Sequence, residues 1–184
     1  VAERKIPAEV KRRAKKIRLL LMDVDGTLTQ GTVCLQAFPD GSVAELKIFN
    51  AHDGAGIKLA SLVGLRSGMI TGRNSPATTQ RAREMGVEFV FQGQARKTSA
   101  YDEILERAGV KDEEVAYMGD DLPDLPLLGR AGLAVAVADA AVEVKRAAHY
   151  VTRAKGGAGA AREVVELILK AQGKWESSIP KALA

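Results

Sequence analysis

The order of apolar and polar positions along the chain alternates between two periods. "IRLLLMDV" (17–24) is apolar on both faces, the mark of a strand buried on both sides. "LRSGMIT" (65–71), "VEFVF" (87–91), "VAYMGDD" (115–121), "LAVAVA" (133–138) and "YVT" (150–152) read as further strands. Between them lie helical stretches at 55–64, 75–86, 97–109, 140–148 and 160–173, with a helical turn within 122–132. Ser75-Pro76 opens one helix; Gly64, Gly86 and Gly109 follow the ends of three. This alternation predicts an α/β fold, a doubly wound, mostly parallel, Rossmann-like sheet with helices on both faces. One segment departs from it. Residues 32–49 form two alternating runs around Pro39-Asp40-Gly41-Ser42, a β-hairpin inserted after the first strand.

Composition narrows the class. A length of 184 residues, 46% of them hydrophobic, suits one domain with a sizeable core. No apolar run approaches the ~18 residues of a membrane span. The run at 19–22 is cut by Asp23, which makes a poor signal-peptide core. The single cysteine, Cys34, excludes an intrachain disulfide and fits a reducing, cytoplasmic setting. The net charge of +4 is unevenly spread. Residues 1–18 hold 8 Lys/Arg and 2 Asp/Glu, a net of +6, which leaves 19 basic and 21 acidic residues and a net of −2 elsewhere. The basicity is an arm over 1–16, read as a solvated helix lying against the body. It has no interleaved aromatics to stack on nucleic acid. The expected organisation is this arm, a catalytic domain over 17–173, and a loose tail over 174–184.

Ligands of such sheets sit beyond the carboxyl ends of the strands. The first strand ends in Asp23 and Asp25, the second in Thr71, and the fourth in Asp120 and Asp121, with Asp124 one turn on. Lys97 opens the helix after the third. Several carboxylates in one crevice repel one another unless a cation joins them, and oxygen-only donors favour Mg²⁺. Lys97 and Thr71 remain to hold an anion. Carboxylates, Mg²⁺, a lysine and a hydroxyl together describe phosphoryl transfer. A signalling receiver domain uses a similar set but needs its acid at the third strand, which here ends in "VFQGQ". A non-catalytic regulatory or binding protein on this fold is disfavoured by the intact Asp23 and Asp25.

"DVDGTLT", "ITGR", Lys97 and "GDDLPD" resemble the four motifs of the haloacid dehalogenase-like phosphatases. With the hairpin, "FNAHDGAGIK", "QGQARK", "AVADA", "YVTRAKGGAGAAREV" and "AQGK", the chain is similar to the 3-deoxy-D-manno-octulosonate 8-phosphate phosphatase family over roughly residues 17–175. The resemblance implies a phosphatase of lipopolysaccharide precursor synthesis, with a nine-carbon sugar acid 9-phosphate as the alternative substrate. It implies Asp23 as nucleophile and Asp25 as general acid and base. Thr71 and Lys97 would hold the phosphoryl group. Mg²⁺ would lie on Asp23, the backbone carbonyl of Asp25, and Asp120, with Asp121 and Asp124 supporting. The sugar acid would meet the loop Asn50-Ala51-His52-Asp53 together with Lys58, Arg73 and Arg81. His52 stands where the family pattern has Arg, and Lys58 where Arg is common. The spacings between motifs leave no room for a cap domain. The resemblance therefore implies a homotetramer, with hairpins joined in a central barrel and a neighbour roofing each site.

Overall fold

The computed structural model describes residues 6–182; residues 1–5 of the basic arm and 183–184 of the tail lie outside the described residues. After helix α1 (Ala8–Ala14) come β1 (Leu19–Met22), the strands β2 (Cys34–Ala37) and β3 (Val43–Leu46), α2 (Ala51–Leu62), β4 (Arg66–Ile70), α3 (Pro76–Met85) and β5 (Phe89–Phe91). The second half runs α4 (Lys97–Ala108), β6 (Val115–Gly119), α5 (Leu125–Leu128), β7 (Leu133–Ala136), α6 (Val142–Ala147), β8 (Tyr150–Val151), α7 (Ala160–Ala171) and α8 (Trp175–Ala182). Six strands form one parallel sheet in the order β5-β4-β1-β6-β7-β8. The strand order reverses beside β1, and the crevice at such a reversal is where α/β sheets bind ligands. The expected doubly wound sheet and its inserted hairpin are both present, and no further domain interrupts the described chain.

Residues 19–22, the whole of β1, are fully buried, as a central strand covered by helices on both faces requires. β2 and β3 form a separate antiparallel ribbon, with Cys34 paired to Leu46 and Ala37 to Val43. On this ribbon and its flanks Val33, Leu35, Phe38, Val43, Leu46 and Ile48 are exposed.

Two local expectations change. α2 starts at Ala51 rather than 55, because the Asn50 side chain caps it, accepting from the N–H groups of His52 (2.8 Å) and Asp53 (3.3 Å). Ala51, His52 and Asp53 therefore lie in the first turn of a helix and not in a loop. The tail is not loose over its described part. α8 folds back on α2 and α7, Ser178 is buried, and the Trp175 ring lies under the cations of Arg162 (5.0 Å) and Lys170 (5.6 Å). The basic arm, where described, is the expected helix against the body: α1 turns Val10 and Ala14 into the core while Lys11, Arg12 and Lys15 face solvent.

Candidate active site

The carboxyl ends of β1, β4 and β6 and the start of α4 meet beside the reversal in strand order. β1 delivers Asp23, which is buried, and Asp25, two residues on and half-buried. Gly26 follows with φ +99°, and a side chain there would overlap the Asp120 carboxylate, so the turn after β1 can lie against the end of β6 only as glycine. Thr27 then donates to Asp120 Oδ1 at 3.0 Å.

Lys97 is the first residue of α4, and its ammonium reaches Asp23 Oδ1 (2.5 Å) and Asp124 Oδ1 (2.7 Å). A buried cation at a helix N-terminus opposes the helix dipole, so it persists only with close anions. Burial pulls the Lys97 pKa down, but the Asp23 and Asp124 carboxylates outweigh it and the net shift is upward. Asp124 is fully committed. Besides Lys97, its Oδ1 accepts from the Tyr117 hydroxyl (2.7 Å), and its Oδ2 accepts from the N–H groups of Asp120 (3.0 Å) and Asp121 (3.3 Å). A carboxylate with four donors already in place orients its neighbours better than it binds a further ligand. Tyr117, buried on β6, is a participant that the motif pattern did not reveal; one aromatic within an apolar strand carries no signal of its own.

Asp23 and Asp120 are less fully met, by the Lys97 ammonium and the Thr27 hydroxyl respectively. Burial, opposed by Lys97 and reinforced by Asp124, pushes Asp23 up to about 7. Burial and the Asp124 charge push Asp120 up to about 6. Oxygens of Asp23, Asp120 and Asp124 lie within 4.8 Å of one another. Carboxylates gathered this closely, two buried and one half-buried, with no His or Cys among them, fit a hard divalent cation.

Thr71, at the end of β4, places Oγ1 3.4 Å from Asp25 Oδ2 and accepts from the Arg73 N–H at 3.4 Å. Asp25 Oδ1 is held by Lys47, a hairpin residue that the motifs did not single out. Asp121 is exposed and caps the following turn, with Oδ1 accepting from Leu122 N–H at 2.8 Å.

The residues expected to meet the sugar are more dispersed. Arg73 pairs with Glu45 of β3 (2.7 Å). Arg81 pairs with Glu84 (3.1 Å) and donates to the Asn50 carbonyl (3.4 Å). His52 and Lys58 are exposed on α2. Asp53 is buried, and both its oxygens are engaged by the start of α7, by Gly159 N–H (3.1 Å) and Arg162 N–H (2.8 Å). A cleft of about 1080 Å³ beside α1 and α7 takes in His52 but none of Asp23, Asp25, Asp120 and Asp124.

The family model for haloacid dehalogenase-like hydrolases matches residues 68–164. The KdsC 3-deoxy-D-manno-octulosonate 8-phosphate phosphatase of Escherichia coli (strain B / BL21-DE3) is 42% identical over 94% of this chain and 90% of its own length. The chain is a haloacid dehalogenase-like hydrolase of the 3-deoxy-D-manno-octulosonate 8-phosphate phosphatase family. The Yersinia pestis KdsC is 44% identical over 92% of this chain and 89% of its own. A crystal structure of the Moraxella catarrhalis phosphatase in complex with magnesium, phosphate and KDO matches with a TM-score of 0.87 at 37% identity, covering 94% of this chain and 97% of that one. The chain is thus a phosphomonoesterase. No helix among the described residues is long and apolar enough to cross a membrane.

Proposed function

We propose that the chain hydrolyses 3-deoxy-D-manno-octulosonate 8-phosphate to the free sugar acid and phosphate with Mg²⁺, in the cytoplasm, through a phosphorylated Asp23. The observation that carries this reading is the pair Asp23 and Asp25 on one side of the β1 end, one acid against Lys97 and the other against Thr71. Asp23 directly follows β1 and Asp25 opens the turn after it, and their contacts to Lys97 and Thr71 bring both acids to the same carboxyl-end crevice, where they can address one bound phosphate ester.

Asp23 attacks phosphorus as the ester bond to the sugar breaks. Asp25 donates a proton to the departing alkoxide, then takes one from the water that cleaves the aspartyl phosphate. Thr71 and Lys97 bind the non-bridging oxygens. Asp124 and Tyr117 fix the Lys97 ammonium so that no reorganisation is needed as charge develops. Asp23, Asp120 and the Asp25 carbonyl would hold Mg²⁺, which supplies charge neutralisation for the phosphoryl oxygens. Arg73 and Arg81, with Asn50, Ala51, His52, Asp53 and Lys58 around the start of α2, form the region proposed to meet the sugar acid; a guanidinium suits its carboxylate by bidentate geometry.

The exposed apolar ribbon is the proposed assembly surface of a homotetramer, since an isolated two-stranded ribbon is marginal and exposes its edges. The test is phosphate release with and without Mg²⁺ from eight-carbon and nine-carbon sugar-acid phosphates and from neutral hexose phosphates, with Asp23→Asn as control. The reading requires the eight-carbon acid to give the highest kcat/KM and Asp23→Asn to abolish turnover with an unchanged circular dichroism spectrum. A preference for the nine-carbon ester would transfer the assignment to that substrate. A preference for neutral hexose phosphates would refute the sugar-acid reading.

A further inference from the structure

We propose that Lys47, carried by the hairpin, is a positioning residue for the proposed general acid Asp25. The proposal rests on the role given to Asp25 above. From the end of β3 into the residues just after it exposure alternates, with Glu45 and Lys47 half-buried and Leu46 and Ile48 exposed, so the two pairs face opposite ways. Leu46 and Ile48 are 60% and 74% exposed. On the other face the Lys47 side chain is only 4% exposed and that of Glu45 16%, beside a ribbon whose other strand residues are open to solvent. A surface lysine gives up much rotamer freedom to be held in this way, so its placement needs a strong partner. That partner is Asp25, whose Oδ1 meets the Lys47 ammonium.

The contact belongs to a small network. Glu45 Oε1 lies 3.9 Å from the Lys47 ammonium and accepts from Arg73 Nε (3.1 Å) and Nη2 (2.7 Å). Thr71 stands on the other oxygen of Asp25. The Asp25 carboxyl is therefore gripped on Oδ1 by the hairpin and on Oδ2 by the end of β4. Glu45–Arg73 fastens the same hairpin to the same loop. Asp25 itself is half-buried at the mouth of the site, where nothing else among the described contacts of its side chain would fix its rotation. A general acid must be aimed at the leaving oxygen, and a small misorientation costs far more in rate than in binding.

Leaving-group dependence provides the test. Lys47→Met keeps the length of the side chain and removes the charge; Lys47→Arg keeps the charge. Each is assayed with the sugar-acid phosphate and with an aryl phosphate, whose leaving group needs little protonation, alongside Asp25→Asn. Lys47→Met is expected to lower kcat on the alkyl ester by roughly tenfold to a hundredfold, with KM within about threefold, and to lower kcat on the aryl ester by less than about threefold. Lys47→Arg should recover most of the loss. In an Asp25→Asn background, Lys47→Met should cost nothing further on the aryl ester. Light scattering and thermal melting of each variant separate this effect from a displaced hairpin. An equal loss on both esters, or none on either, overturns the role of Lys47. If Asp25→Asn itself fails to discriminate between the esters, the assignment of Asp25 falls instead.

Discussion

Replacing Asp53 by alanine separates two jobs that one buried acid could hold. Asp53 lies in the first turn of α2, 2% exposed, and its oxygens accept from Gly159 N–H and Arg162 N–H, joining α2 to the start of α7. Gly56, one turn on, lets the helices approach, since a side chain there would strike Arg162. Hydrogen bonds to a charged acceptor contribute about 1.5–3 kcal/mol each, and a lost helix cap costs about 1 kcal/mol. Burial pushes the Asp53 pKa up against the pull of those N–H groups, so part of this gain is spent on desolvation. The net loss in Asp53→Ala is then about 2–4 kcal/mol. For a chain of this size each kcal/mol moves Tm by about 2–4 °C, which predicts a fall of roughly 5–15 °C. Asp53→Asn keeps one acceptor but turns an NH₂ toward the other N–H, and should lie between. The assay is thermal melting together with kcat and KM measured well below the lower Tm. A Tm within ~2 °C of wild type with a tenfold rise in KM would refute the helix lock and make Asp53 a substrate contact.

The proposed metal site gives a pH dependence whose sign follows from its raised carboxylates. Asp23 and Asp120 are pushed up to about 7 and about 6, above their unfolded values, so the metal-free fold binds extra protons and loses stability as pH rises from about 4 to about 7. Urea midpoints of EDTA-treated protein should reflect this, and Asp120→Asn should flatten the slope; an unchanged slope would contradict it. Mg²⁺ at ~100 times its Kd should return about 2.7 kcal/mol to the wild type at pH 7.5, and Asp120→Asn should lose most of that increment. Tyr117→Phe removes one of the four donors on Asp124. It should lower kcat several-fold with little change in KM, and an unaltered kcat would show that the remaining donors suffice. Leu46→Lys with Ile48→Lys places charge on the exposed face of the ribbon. Light scattering should show smaller species, and an unchanged mass would exclude this face from the assembly.

The sheet was legible because a central strand buried on both faces cannot hide: 19–22 is apolar without interruption, and acids directly after such a run are conspicuous. What the sequence obscured was decided by partners distant in the chain. Asn50 three residues before Asp53 is a helix-start pattern, but the glycines at 54 and 56 lower helix propensity and shift the apparent start to 55. Only the packed structure shows that those glycines admit Arg81 and Arg162. The tail looked loose because its eight helical residues include Pro180, and its order comes from cations of α7 over Trp175. Lys47 was half legible: the alternation of Glu45 and Lys47 with Leu46 and Ile48 predicts two unlike faces, but nothing local says that the polar face meets Asp25.

The acids in and around the site divide by how their charge is met. Asp53 and Asp124 are satisfied by backbone N–H groups, a hydroxyl and a fixed lysine, so they hold geometry whether or not a ligand is present. Asp23 and Asp120 are left with raised pKa values and too few donors, and that deficit makes a cation welcome between them. Asp25 belongs to neither group. It is half-buried and shared between the end of a core strand and a two-stranded ribbon, an element marginally stable on its own. Among the described residues no cap domain is present, and the ribbon is the inserted element that reaches Asp25. A partner pressed on its Leu46 and Ile48 face would also steady Lys47 against Asp25 on the other. Assembly and proton transfer would then rest on opposite faces of the same four residues.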